Sequence, residues 1–252
     1  MQGNTDEPAI RVKSLRKTFG SQNVLNGIDL EVAQGETLAI LGRSGTGKSV
    51  LLKLIIGLQQ PDSGSIQILG QEVAKLHLDE LNEVRKRVGF LFQSAALYDS
   101  LTVAENVAFP LRRHTRMSDG ERKQRVHELL STVGMDEHSH KLPSQISGGM
   151  QKRVGLARAL ALSPDILLYD EPTSGLDPIT SEEITELILK LKEERKVASI
   201  LVTHDVPSAH AVSDRMALMR DGTFVSEGTF DDLQKSHDKF VGDFLRVGSQ
   251  VV

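Results

Sequence analysis

The sequence predicts an α/β fold: a mainly parallel sheet covered by helices and interrupted midway by a helical insert. Three observations carry that prediction. Apolar runs of strand length alternate with helical patterns in both the first and the last third of the chain, which implies parallel strands joined by helical crossovers. Between 94 and 161 the strand runs stop and helical stretches replace them. A glycine loop, Gly42-Arg43-Ser44-Gly45-Thr46-Gly47-Lys48-Ser49, stands between a strand-like run at 37–41 and a helical run opening at Val50, the setting a phosphate-binding loop requires.

The elements follow in order. Apolar and polar residues alternate over 10–15, predicting a first strand. Leu25, Ile28, Leu30 and Val32 recur near period two and predict a second over 24–32. Further strands are predicted at 37–41, 65–69 and 88–92, and Pro61-Asp62-Ser63-Gly64 marks a turn before the fourth. Helices are predicted over 103–110, 119–133 and 148–162, broken by Pro110, Gly134 and Pro143. Strand runs return at 166–169, 199–203 and 216–219, with a helix near 180–192 between the first two. Arg220-Asp221-Gly222-Thr223 reads as a hairpin turn into a returning strand at 223–225. Leu233, Phe240, Phe244 and Val247 fall near helical spacing, so the tail is expected to pack an apolar stripe on its own domain or against another subunit.

A chain of 252 residues can bury a full core as one large domain or as a core with a subdomain. A formal net charge of −4 speaks against a general nucleic-acid binder. The basic runs Arg85-Lys86-Arg87 and Arg112-Arg113-His114 are short and read as solvated helix ends. With no cysteine, disulfides, thiolate metal sites and a cysteine nucleophile are excluded. Met1 to Pro8 are polar and acidic and lack the apolar core of a signal peptide. No apolar run reaches bilayer length, so any membrane role is expected to go through a partner.

The candidate chemistry sits at strand ends. Glycines let the loop fold tightly, so that backbone N–H groups converge on phosphate oxygens, and the helix behind it adds its N-terminal partial charge. Lys48 is placed to neutralise β- and γ-phosphate charge, and the Ser49 hydroxyl to ligate Mg²⁺. Asp170 and Glu171 end the apolar run Ile166-Leu167-Leu168-Tyr169. Two carboxylates there would lie at the carboxyl edge of a parallel sheet, where ligands of α/β proteins bind. Asp170 is placed to hold Mg²⁺, and Glu171 to take a proton from an attacking water. His204 ends the run 199–203 and could donate a hydrogen bond to a γ-phosphate or to that water. Gln93 closes the run 88–92 and could reach both Mg²⁺ and the water.

Ile146-Ser147-Gly148-Gly149-Met150-Gln151-Lys152-Arg153 resembles the signature sequence of ABC-type ATPases. The phosphate loop, the Gln93 loop, this signature, Asp170-Glu171, Ser174-Gly175-Leu176-Asp177 and His204 fall in that family's order, from Phe19 to about Gly228. The resemblance implies a P-loop NTPase fold with a RecA-like core and an N-terminal antiparallel β subdomain over 8–93 and 162–229. It implies an inserted helical subdomain over 94–161, leaving a helical tail over 230–252. It also implies a homodimer holding two ATP with Mg²⁺, each site made of Gly42 to Val50 of one copy and Ser147, Gly148 and Gly149 of the other. Those three residues open a predicted helix, which makes a second anion-binding terminus. Phe19 matches the aromatic that stacks on adenine, although a strand-end Phe also suits a core. Asp177 would connect the two sites. The family's glutamine at the end of the signature is Met150 here, which removes one polar group near the partner's nucleotide.

Val84-Arg85-Lys86-Arg87-Val88-Gly89-Phe90-Leu91-Phe92-Gln93-Ser94-Ala95-Ala96-Leu97-Tyr98 and Ala108-Phe109-Pro110-Leu111-Arg112, together with Ser147-Gly148-Gly149-Met150 and Asp177-Pro178-Ile179-Thr180, look like the ATPases of Mla-type lipid transporters. That branch implies a peripheral subunit on the cytoplasmic face of the inner membrane, bound to permease subunits. It further implies an MCE-domain lipid-binding protein and a small regulatory subunit as partners. Leu97, Tyr98, Leu101, Val103 and Phe109 are candidates for a groove that receives the permease, or for plain core of the insert. Small-solute importers use similar cassettes. A soluble ABC protein acting on ribosomes or DNA is expected to fuse two cassettes or carry long coiled coils, and neither pattern is present.

Overall fold

The computed structural model describes residues 7–248. Two sheets organise it. The first is antiparallel: β1 (Ile10–Phe19) pairs with β2 (Gln22–Val32) on one side. On the other side it pairs with β4 (Ser63–Ile68), and β4 carries the short edge strand β5 (Gln71–Glu72). The second sheet contains β3 (Thr37–Leu41), β6 (Val88–Leu91), β7 (Ile166–Asp170), β8 (Ala198–Thr203), β9 (Arg215–Arg220) and β10 (Thr223–Gly228) in the order β10-β9-β3-β8-β7-β6. Its pairs are parallel except the terminal β9–β10 hairpin.

The central parallel strands β3, β7 and β8 are buried on both faces, and alternate residues serve different cores. Ile166 and Leu168 face the core shared with the antiparallel sheet and α1 (Lys48–Ile55). Leu167 and Tyr169 face a second core shared with the helical insert. This two-sided burial is why these strands read as unbroken apolar runs rather than alternating ones.

The insert holds α3 (Val103–His114), α4 (Asp119–Thr132) and α5 (Gly148–Ala159), the last packing against both β6 and α6 (Pro178–Arg195). The sequence predicts a break at Pro110, but α3 runs through it to His114. The missing N–H costs one helical hydrogen bond. Burial of Val103, Val107 and Leu111, with Ala108, on the inner face outweighs that loss.

Asn106 fixes the loop that leads into α3. Its buried side chain accepts from the Tyr98 N–H at 2.8 Å and donates to the carbonyls of Tyr98, Leu101 and Thr102 at 3.0–3.1 Å. Asn106→Ala is expected to cost about 2–3 kcal/mol, because it strands buried backbone groups without partners. Urea unfolding checks this; a loss below about 0.5 kcal/mol would mean that water replaces the amide.

Two helices lie where the sequence signal is weak. α2 (Leu78–Lys86) sends Arg85 to the carbonyls of Ile56 and Gly57 at 3.0 and 2.8 Å, which completes the end of α1. α7 (Val206–Val212) is capped by Asp205. The tail is two helices, not one: α8 (Phe230–Gln234) and α9 (Lys239–Gly248). Its buried residues are Leu233, Val241 and Leu245, packed on Leu41, Met216 and Leu218 of the chain's own sheet. Leu233 is buried as expected, whereas in α9 Val241 and Leu245 take the inner positions and Phe240 and Phe244 pack beside them only partly buried. Val247 lies outside the residues whose side chains are described.

Candidate functional site

Strands β3, β8, β7 and β6 are neighbours in one parallel sheet, with Leu41 opposite Thr203, Asp170 opposite Val202 and Leu91 opposite Tyr169. The segments leaving their carboxyl ends therefore emerge side by side. Those segments carry the phosphate loop, His204, Glu171 and Gln93 respectively.

The loop's backbone is built for close approach. Gly47 is the N-cap of α1 with φ 102°, and a Cβ there would lie 2.8 Å from the Val24 carbonyl. No side chain caps α1, whereas Thr102, Ser118, Ser147 and Asp177 cap α3, α4, α5 and α6. The first N–H groups of α1 thus remain available to an anion. The Lys48 ammonium folds back over the loop, donating to the carbonyls of Gly42 and Arg43 at 2.7 and 3.1 Å. Thr46 donates to the Arg43 carbonyl at 2.9 Å, and the exposed Arg43 guanidinium lies 5.7 Å from the Phe240 ring of α9. Ser44 and Gly45 are exposed, and Val50 packs on the core beneath.

The carboxylates occupy different environments. Asp170 is buried and accepts from the Ser49 hydroxyl at 2.6 Å. Burial pushes its carboxyl above the ordinary range and Glu171 adds to the shift, while the Ser49 hydroxyl, Lys53 and Lys48 oppose it. A serine hydroxyl and a carboxylate oxygen at this spacing form a hard-oxygen pair that suits Mg²⁺, a fit the chemistry of the donors supports by itself. Glu171 takes a left-handed backbone, φ 48°, which is costly for a residue with a Cβ and concentrates at functional sites. Its side chain is held on both oxygens: Lys48 Nζ at 3.2 Å on one, His204 Nδ1 at 2.9 Å and the Thr203 hydroxyl at 3.4 Å on the other.

The Gln93 side chain is exposed, and its amide reaches the Ser174 hydroxyl at 3.5 Å rather than the Ser49–Asp170 pair. Phe19 ends β1 with 45 % of its surface exposed, so it is not a core residue. The Lys17 ammonium stands 5.2 Å from its ring.

Ser147, Gly148 and Gly149 open α5, and Ser147 accepts from the Met150 N–H at 3.2 Å as a helix cap. Among the described residues, no hydrogen bond joins them to the phosphate loop. Gly149 has a packing role of its own: a Cβ there would meet Thr180 Cγ2 at 2.3 Å. The Met150 side chain packs against the insert core, so the departure from glutamine is accommodated as an apolar contact. Asp177 caps α6, accepting from the N–H and hydroxyl of Thr180 at 3.0 and 2.6 Å, and these bonds hold its carboxyl below the usual range.

One side chain at the site goes unsingled in the sequence reading. Lys152 of α5 is 4 % exposed and donates to the carbonyls of Gln93 and Glu171 at 2.5 and 3.0 Å. Burial lowers its pKa to about 8, against the pull of Asp170 and Glu171, so at neutral pH it remains an ammonium. Its signal in the sequence is positional: Gly149, Lys152 and Leu156 share a helical face, and all three are buried.

Of the candidate groove residues, Val103 is core, Leu97 and Leu101 are half-buried, and Tyr98 and Phe109 are exposed with ring centroids 4.7 Å apart. No helix among the described residues is long and apolar enough to cross a membrane.

Comparison with known proteins places this geometry. The family model described as ABC transporter matches residues 25–174. The intermembrane phospholipid transport system ATP-binding protein MlaF of Haemophilus influenzae is 41 % identical, over 94 % of this chain and 90 % of that protein. A probable ribonucleotide transport ATP-binding protein, mkl of Mycobacterium leprae, is 43 % identical over 94 % of this chain and 68 % of its own length. The methionine import ATP-binding protein MetN of Brucella abortus is 42 % identical; the chain spans 60 % of that protein's length. Among solved structures, the dimeric post-hydrolysis state of the ATP-binding cassette MJ0796 with ADP and Pi superposes with TM-score 0.81 at 36 % identity, covering 87 % of this chain and 98 % of that one. The two sheets with their helices are therefore a P-loop NTPase fold, as the signature implied. A matched family model over more than half of the chain, relatives above 40 % identity and that superposition agree: the chain belongs to the ABC transporter family, as an ATPase subunit.

Proposed function

We propose that two copies of this chain close around two ATP, each with Mg²⁺, and that hydrolysis drives a membrane permease moving phospholipid between membranes. The observation that carries the hydrolytic half is the grip on Glu171, held by Lys48 and His204 next to the Ser49–Asp170 pair. In this reading Gly42 to Val50 cradle the triphosphate and Lys48 turns from the loop carbonyls to the phosphates. Ser49 and Asp170, joined by Gln93, hold the Mg²⁺, which neutralises phosphate charge when bound. Glu171 accepts the proton of the attacking water at its carboxylate, and His204 steadies that carboxylate and hydrogen-bonds the reacting groups. Phe19 offers its exposed face to adenine. Ser147, Gly148 and Gly149 finish the partner copy's site, and Asp177 lies on the path between the two. The subdivision follows the same reading: a nucleotide core over 8–93 and 162–229, a helical subdomain over 94–161 and a tail over 230–252.

The phospholipid branch is supported by the MlaF relative, which this chain matches almost end to end, whereas it spans only 60 % of the methionine import protein. The same branch supplies the further partners: permease subunits, an MCE-domain protein and a small regulatory subunit, with the chain peripheral on the cytoplasmic face of the inner membrane. A small-solute importer is the second reading, favoured by the 42 % identity to the methionine relative against 41 % to MlaF. Affinity purification of the tagged chain from its own membranes separates the two. A permease with co-purifying phospholipid and an MCE-domain protein supports the first; a permease with a soluble solute receptor supports the second.

Tyr98 and Phe109 form the exposed apolar pair that the permease would cover. Their joint replacement by Glu is expected to abolish co-purification of the permease while the isolated chain keeps its ATPase rate. Retained co-purification would place the permease elsewhere.

A further inference from the structure

α5 does more than present a cap. It grips two loops of the nucleotide site through cationic side chains that meet backbone carbonyls. Lys152, five residues after Ser147, donates to the carbonyl of Gln93 and to that of Glu171. Arg158, further along the helix, donates to the carbonyls of Ala95 and Ala96, each at 2.6 Å. Ala95 and Ala96 hold left-handed backbones, φ 58° and 48°, a conformation that needs outside support in residues with a Cβ. The Gln93 loop is thus bound to α5 at three carbonyls. The Glu171 turn, itself left-handed, is bound to it at a fourth.

We propose that Lys152 is a positioning residue for ATP hydrolysis, yoking the helix that carries Ser147 to the Gln93 loop and the Glu171 turn. The cap at the start of α5 cannot then shift without carrying the carbonyl of Gln93, and Glu171 is set at a fixed height over the phosphate loop. Lys152 does this without touching the nucleotide. It acts through the backbone of the residues beside it, so its loss should misplace the reacting groups while leaving the phosphate cradle intact.

The inference rests on Glu171 serving as the proton acceptor, and the test keeps the two claims apart. ATP turnover by phosphate release and ATP affinity by titration without Mg²⁺ are measured on the full chain for Lys152→Met, Lys152→Arg and Glu171→Gln. Lys152→Met should lower kcat by about tenfold or more with ATP affinity changed by less than about twofold, and Lys152→Arg, which keeps cationic donors, should recover most of the loss. If Lys152→Met does not fold, Lys152→Gln, which keeps a donor for one carbonyl, is held to the same criteria. Wild-type kcat in the methionine or glutamine variant, a parallel loss of kcat and affinity, or an arginine variant no better than methionine overturns the yoke. Unchanged turnover in Glu171→Gln overturns the assignment beneath it instead.

Discussion

Glu171→Gln is expected to lower ATP turnover by about 10²–10⁴-fold, the range a positioned general base contributes. Glutamine keeps the shape of the side chain and one carbonyl oxygen, so the contact with Lys48 Nζ at 3.2 Å or with His204 Nδ1 at 2.9 Å can persist on that oxygen. What it loses is the capacity to take a proton at neutral pH. ATP affinity should change little, because glutamine keeps the side chain's shape and leaves Lys48 and the N–H groups of the loop in place for the phosphates. With product formation blocked, the closed form should accumulate: Mg²⁺ and ATP should move the variant to twice the monomer mass in size-exclusion chromatography. Phosphate release and elution volume check both parts. Turnover within twofold of wild type removes Glu171 as the base; a variant that binds ATP yet stays monomeric removes the two-copy sandwich.

The residues that carry these arguments were readable because of how parallel strands are buried. A strand covered on both faces must be apolar throughout, so Ile166 to Tyr169 stands out, and the first charged residues beyond it, Asp170 and Glu171, mark the sheet's edge. The same logic placed His204 after β8 and the glycine loop after β3. Elements held by other forces were harder to see. α2 is largely polar and is tied down by Arg85 bonding to distant carbonyls, contacts no local pattern encodes. Pro110 reads as a breaker, yet the buried face of α3 overrides it. Lys152 sits on an apolar helical face, where a lysine is usually assumed to turn outward. Only the three-dimensional arrangement shows the loop carbonyls that receive its ammonium.

Lys48→Ala should be the most damaging single change for nucleotide binding, lowering ATP affinity by about 10²-fold or more, equivalent to about 3 kcal/mol for a charge-assisted contact made away from bulk water. Lys48 is 5 % exposed and makes three contacts: the carbonyls of Gly42 and Arg43, and the carboxylate of Glu171. The lysine thus bridges the loop carbonyls and the Glu171 carboxylate. Removing it has a second consequence that is independent of ATP. Glu171 then loses its one ion-pair lysine among the described residues and keeps His204 and Thr203 on its carboxylate, and breaking one side of a buried ion pair costs about 3–5 kcal/mol in comparable settings. Lys48→Ala should therefore unfold at lower urea concentration than wild type even in the apo state. The double variant Lys48→Ala with Glu171→Gln should regain much of that stability, because the stranded charge is gone, while its ATP affinity stays low. Calorimetric titration and urea unfolding of the three variants test this directly. If the double variant is no more stable than Lys48→Ala alone, the pair seen at 3.2 Å contributes nothing to the fold, and Lys48 serves the phosphates only.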